Sequence, residues 1–125
     1  VTTPPATEGT IMIVCITVSE DGRAGGGWGR AHRVALATTS DGTITDWRDV
    51  EVGWDTAHDE GTEGSHHARI ARFLIDNHVE AVVTGHMGPP MSRMLGTMRI
   101  RTSFDADGDA RAAVLAALPA LEGPV

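Results

Sequence analysis

The sequence predicts a three-layer α/β domain built on a five-stranded mixed sheet, and three stretches of it lead there. Residues 64–95 read as a helix, a short buried strand, a Gly/Pro turn and a second helix, the succession that builds parallel strands. Residues 10–18 (TIMIVCITV) are an almost unbroken apolar run rich in β-branched side chains, as expected of a strand covered on both faces. Asp41-Gly42 separates two extended segments and has the chemistry of a tight hairpin turn.

Residues 1–9, with Pro4, Pro5 and several threonines, show no periodicity and read as a flexible arm ahead of one domain over residues 10–121. Cys15, inside the first strand, reads as a small buried hydrophobe, with a metal thiolate as the alternative. Residues 19–30 form a loop in which Gly22, Gly25, Gly26, Gly27 and Gly29 surround Trp28. A phosphate-cradling loop needs its glycines to open a helix. These lead into a second strand, residues 31–39, so nucleotide binding is not expected. Residues 43–52 follow the hairpin as a polar edge strand with a wet face.

Residues 53–63 read as a long polar loop holding Trp54, His58 and four carboxylates. In the helix that follows, His67, Ile70, Ala71, Leu74 and His78 share one face. Ser65 is placed to cap its start, and Asn77 and His78 to close it. Residues 80–84 are the next strand, and Pro89 or Pro90 opens the second helix. Residues 98–104 alternate as a fifth strand, the acidic turn 105–109 caps what comes next, and residues 110–121 are a closing Ala/Leu-rich helix. The simplest sheet has order 3-2-1-4-5 with strand 2 antiparallel, a ribonuclease H-like motif.

Composition removes whole classes of function. At 125 residues the chain supports a single core. A net charge of −7 argues against nucleic acid, which calls for a basic stripe. No apolar run nears the roughly 20 residues that span a bilayer, and no leader pattern opens the chain, so no membrane is expected and the compartment is read as cytoplasmic. One cysteine excludes an internal disulfide and a CxxC site; the absence of lysine excludes Schiff-base chemistry and a P-loop lysine. The first strand lacks the carboxylates of a two-metal nuclease. Ser65 and His66, adjacent on a helix, point apart. The chain is therefore not expected to be an enzyme.

The topology sets His66, His67 and His86 at the carboxyl edge of the sheet, where open α/β sheets bind ligands. Imidazoles gathered there suit iron or zinc, and these three are the candidate metal ligands. The bland readings are a solvated loop residue for His86 and a hydrogen-bonded core histidine for His67. His32 and His58 fall near the same edge; His78 lies at the opposite end as a helix cap. Met87, Met91, Met94 and Met98 recur at helical spacing, which favours core packing over a metal-binding stripe. Arg30 either pairs with an acid of residues 53–63 or meets a bound anion.

Three segments carry a family resemblance: Gly27-Trp-Gly-Arg-Ala31, Gly64-Ser-His-His67 and Val83-Thr-Gly-His-Met-Gly-Pro89. Over residues 11–118 the chain resembles the dinitrogenase iron–molybdenum cofactor biosynthesis family, the nitrogenase accessory and cofactor-carrier proteins. In that family the first segment usually reads His-Phe-Gly-Arg-Ala. The last usually runs small residue, Gly, polar, aliphatic, Gly-Pro. Gly27 stands here in place of the histidine, and Met87 in place of the aliphatic residue. The resemblance implies binding, storage or delivery of an iron–sulfur or iron–molybdenum-type cluster, exchanged with donor or acceptor proteins by a monomer or homodimer. Gly27, Trp28, Gly29, Arg30, Gly85 and Met87 are the candidate cofactor-binding residues. Two alternatives stay open: a regulatory module binding a single metal ion or an anion at the same edge, and a protein-binding domain using the exposed side of the third strand.

Overall fold

In the computed structural model, which describes residues 11–57 and 63–122, the side chains of β1 (Met12–Val18) alternate between two separate cores. Ile13 and Cys15 belong to one, Val14, Ile16 and Val18 to the other. β2 (Arg33–Ser40) repeats the division, with Val34 and Leu36 on the first side and Ala35 and Ala37 on the second. β4 (Ala81–Val83) does so with Val82 against Ala81 and Val83. Burial on both faces is why residues 12–16, 34–37 and 81–83 are apolar at every position instead of every second one.

The remaining elements are β3 (Thr43–Glu51), α1 (Trp54–Ala57), α2 (Glu63–Asp76), α3 (Pro89–Thr97), β5 (Arg101–Ser103) and α4 (Ala110–Glu122). The sheet runs β3-β2-β1-β4-β5. β1, β4 and β5 are parallel, and β2 is antiparallel to both its neighbours, as the sequence predicts. α2 and α3 cover the first core through Ile70, Leu74, Met91 and Leu95, and α4 covers the second through Val114, Ala117, Leu118 and Leu121. Three layers result. Ala35, Ala37 and Ala81 on the sheet share this second core with Ala110 and Ala117 of α4.

Several boundaries differ from the sequence reading, each for a local reason. The residues 1–9 arm, Thr10 and His58 lie outside the described residues. β2 starts at Arg33 because the carbonyls of Ala31 and His32 are already taken by the amides of Trp54, Val52 and Gly53. Residues 54–57 are a helical turn, not loop, with Trp54 buried at 2% exposure. α2 begins at Glu63, which leaves Ser65 inside its first turn instead of ahead of it. In β3 the register passes from Thr38↔Asp46 to Thr39↔Ile44, so Thr45 is a bulge. Ile44 and Trp47 therefore pack with the second core and Val50 with the first, against simple alternation. The bulge and the charges of Asp46, Arg48 and Asp49 guard this open edge against stray pairing.

The helix ends follow the caps. Gly88 precedes Pro89 and Pro90 at the start of α3, and Asp109 Oδ2 accepts the Ala112 amide at 3.0 Å to open α4. α2 ends on His78 at φ 56°, with His78 N donating to Ile75 O (3.1 Å) and Val79 N to Leu74 O (3.0 Å), the paired bonds of a Schellman ending. α3 repeats the device. Arg99 has φ 63°, and the bonds run from Arg99 N to Gly96 O (3.0 Å) and Ile100 N to Leu95 O (2.9 Å). That second corner is why β5 begins at Arg101 instead of Met98. A Cβ in the left-handed region costs about 1 kcal/mol. Arg99→Gly is expected to raise unfolding stability by up to about that amount, read as a higher urea midpoint at unchanged slope.

A cavity between two zipped loops and the start of α2

The site begins with two loops at the carboxyl edge locked together through their backbones. His86 N donates to Gly26 O at 3.0 Å, and Trp28 N donates to His86 O at 2.8 Å. Gly85 makes this approach possible. A Cβ there would lie 2.8 Å from both the nitrogen and the oxygen of Gly26, closer than any side chain tolerates. Gly85 is thus a packing residue, and it does not line the cavity where the sequence reading set it against the cargo.

The chain next makes a single 3-10 turn, Trp28–Arg30. Trp28 is fully buried and meets Trp54 edge-on, ring centroids 5.0 Å apart; Trp54 meets Phe73 of α2 the same way at 5.5 Å. Trp28 Nε1 is the buried side-chain polar atom without a hydrogen-bond partner among the described residues. Drawing Phe73 inward turns α2 by one residue relative to the sequence reading. Its buried face is His66, Ile70 and Leu74, and His67 is only half-buried.

His66 is accordingly a tied core residue, at 3% exposure. One ring nitrogen, Nε2, lies 2.8 Å from Gly29 O, and Nδ1 lies 3.2 Å from Nη1 of Arg69. A carbonyl only accepts and a guanidinium only donates, so Nε2 carries the proton and the ring is neutral. Both nitrogens being occupied, His66 fits the part of a latch between α2 and the 3-10 turn better than the ligand part expected of it.

Above this latch opens a cavity of about 380 Å³, lined by residues 27–30, by His66 and His67, and by residues 86–88, 90 and 91. His86 stands on its wall in a different condition from His66. Its backbone is pinned, while its exposed imidazole makes no hydrogen bond to the described residues. Arg30 is the one cation on the wall, exposed and, among the described residues, without the ion pair to residues 53–63 that was the alternative for it. The amides of Gly29, Met87 and Gly88 donate to no carbonyl of the described residues. Met87 and Met91 are buried in the first core and also reach the wall, so core packing and site are not exclusive roles here.

The other candidates lie elsewhere. Cys15 is fully buried in the first core, where desolvation pushes its thiol pKa up, and it does not reach the cavity. His32 is clasped between Asp55 (Nδ1–Oδ1 3.2 Å) and Glu51 (Nε2–Oε2 2.8 Å) at the surface. The Asp55 hydrogen bond and charge, with Glu51 adding to them, raise its pKa. His78 ends α2 on the far side. Among the described residues, no group of three or more His, Cys, Asp or Glu side chains is placed to hold a metal ion. Sequence reasoning missed Gly88, Pro90 and the cavity role of Met91, which sits one helical turn beyond Met87, and it missed Arg69 behind His66.

The family profile described as dinitrogenase iron-molybdenum cofactor matches residues 10–120. The chain belongs to the dinitrogenase iron-molybdenum cofactor family. Members of that family are generally accessory or cofactor-binding proteins. No curated protein matches this member significantly. Two solved structures share its fold. The protein PH0822 is 16% identical with a TM-score of 0.69, covering 87% of this chain and 90% of its own. The apo form of the orange protein from Desulfovibrio gigas is 19% identical with a TM-score of 0.64, covering 92% of this chain and 93% of its own. At such identities the likeness concerns the fold.

Proposed function

We propose that this chain binds an iron–sulfur or iron–molybdenum-type cluster for storage or transfer, in the cavity between residues 27–30, the start of α2 and residues 86–91. The observation that carries this reading is the convergence of three segments, distant in sequence, on one open cavity with an unpartnered imidazole. His86 is the proposed exchangeable ligand, with His67 facing it from α2. His66 positions the Gly29 carbonyl and shapes the wall without touching metal. Arg30 and the unengaged amides meet the negative charge of sulfides, and the thioethers of Met87 and Met91 give the cargo an apolar seat.

A cluster brings most of its coordination with it as bridging sulfide, so a carrier needs few protein donors and gains from an open mouth. A lone metal ion needs three or four donors from the chain. The described residues offer no such group, which favours the cluster over the single-ion alternative. The role is carriage, not turnover, exchanged with cluster donor and acceptor proteins. We place it in the cytoplasm, where a reducing environment suits such cargo and a lone thiol; among the described residues no helix is long and apolar enough to cross a membrane.

Anaerobic reconstitution of the purified chain with iron, sulfide and molybdate, followed by desalting, absorption spectroscopy and metal analysis, tests the assignment. The wild type is expected to retain metal with charge-transfer bands, and His86→Ala to retain about a tenth as much or less. His66→Gln is expected to keep the bands while losing about 1–2 kcal/mol of stability. Full retention by His86→Ala removes the ligand assignment, and no uptake by the wild type removes the carrier reading.

A further inference from the structure

We infer that a second hollow, beside the cargo cavity, is a binding site for a small, multiply charged oxyanion. It measures about 510 Å³, and its wall includes Arg23, Arg30 and the backbone of Gly25, Gly26 and Gly27. Arg30 and Gly27 face both hollows, so the two share one partition. In a chain of net charge −7, two guanidinium groups gathered on one hollow are a local reversal of sign. Neither makes an ion pair with a described residue, although Arg23 acts on the Asp21 carboxylate through charge.

The backbone adds donors to these charges. The amides of Gly26 and Gly27 give their protons to no carbonyl of the described residues, while that of Gly25 belongs to the Val18–Ala24 bridge. Gly25 and Gly26 hold φ of 124° and 83°, a conformation that side chains rarely adopt, and no Cβ stands between this backbone and a ligand. The acid on the wall, Asp21, keeps its charge, held by the Ser19 hydroxyl and by Arg23, so the two guanidinium groups leave the hollow one positive charge in excess. Thr17 Oγ1 is committed to Gly25 O at 2.8 Å. Two planar forks and a run of N–H groups are the chemistry that holds a phosphate or the carboxylates of a compact organic acid in bidentate fashion. The loop ends in a three-residue turn and supplies no helix dipole, so the selection is for a compact oxyanion and not for a nucleotide. This site does not depend on the cluster reading, since Arg23 lies outside the cargo cavity.

Titration of the ¹⁵N-labelled, cargo-free full chain with inorganic phosphate, and separately with citrate, at constant ionic strength tests it. Saturable shifts are expected at Gly25, Gly26 and Gly27 with one or both probes. Arg23→Gln and Arg30→Gln are each expected to weaken binding about tenfold or more. His86→Ala is expected to bind as the wild type does, and Arg23→Gln to take up iron and sulfide as the wild type does. The stronger of the two probes identifies phosphate or carboxylate as the ligand. No saturable shift with either probe, shifts centred on residues 86–91, or unchanged affinity in Arg23→Gln overturns the proposal whatever the outcome of cluster reconstitution.

Discussion

Trp28→Ala lowers the unfolding free energy by about 3–5 kcal/mol, the range for deleting a fully buried large aromatic side chain. For a domain of this size that corresponds to a fall in Tm of roughly 10–20 °C. Trp28 is one end of a stack whose middle ring, Trp54 of α1, joins the glycine-rich loop to Phe73 of α2. Removing Trp28 leaves a void at the edge of the first core, between the glycine-rich loop and α1. Trp28→Phe separates ring packing from the indole N–H. The phenyl ring keeps most of the contact, and the change also removes a buried donor that has no acceptor, which by itself costs about 1–3 kcal/mol in the native protein. The Phe variant is therefore expected to lose less than half of what the Ala variant loses. Thermal and urea melts of both decide it; an Ala variant within about 1 kcal/mol of wild type would mean that the stack is ornamental.

Gly85→Ala is the second large effect, although it adds one methyl group. That carbon would arrive 2.8 Å from two backbone atoms of Gly26 and 3.3 Å from the carbonyl carbon of Gly25. Backbone cannot rotate away as a long side chain can, so the two loops must separate, stretching the His86–Gly26 and Trp28–His86 bonds. A loss of about 2–3 kcal/mol is expected, with chemical-shift changes running along residues 25–28 and 85–88. Gly96→Ala is the control. A Cβ at Gly96 meets nothing within 4 Å inside α3, and the substitution is expected to gain up to about 1 kcal/mol from helix propensity. If both alanines behave alike, the contact at Gly85 is not what holds the loops together.

The sheet was legible because its signals are local. Continuous apolar runs over residues 12–18 and 81–83 demand cover on both faces, and Asp41-Gly42 dictates a hairpin whatever surrounds it. The bulge at Thr45 and the short β5 were not legible, because each depends on which carbonyl an amide finds across space. Trp54 in a polar stretch was the one available sign that residues 53–63 were more than a loop. The candidate site was legible as a set of residues, since topology alone carries segments 27–30, 66–67 and 86–87 to one edge. Its division of labour was not. His66 and His86 differ in what Gly29 O and Arg69 do to one of them; Arg69, three residues on in the same helix, is within reach of spacing, whereas the Gly29 carbonyl is not. The one-residue rotation of α2 has the same origin, in an aromatic contact between Phe73 and Trp54.

Cys15 sits at the middle of the central strand with no exposure at all. Being the chain's single thiol, it is a built-in clock for opening of the native state. A sulfhydryl reagent in excess can reach it only when the α2–α3 layer lifts from the sheet or the sheet itself opens, so the labelling half-life reports opening of this core. The same reaction followed after reconstitution would report how firmly a bound guest keeps this core shut, without any need for the guest to be coloured.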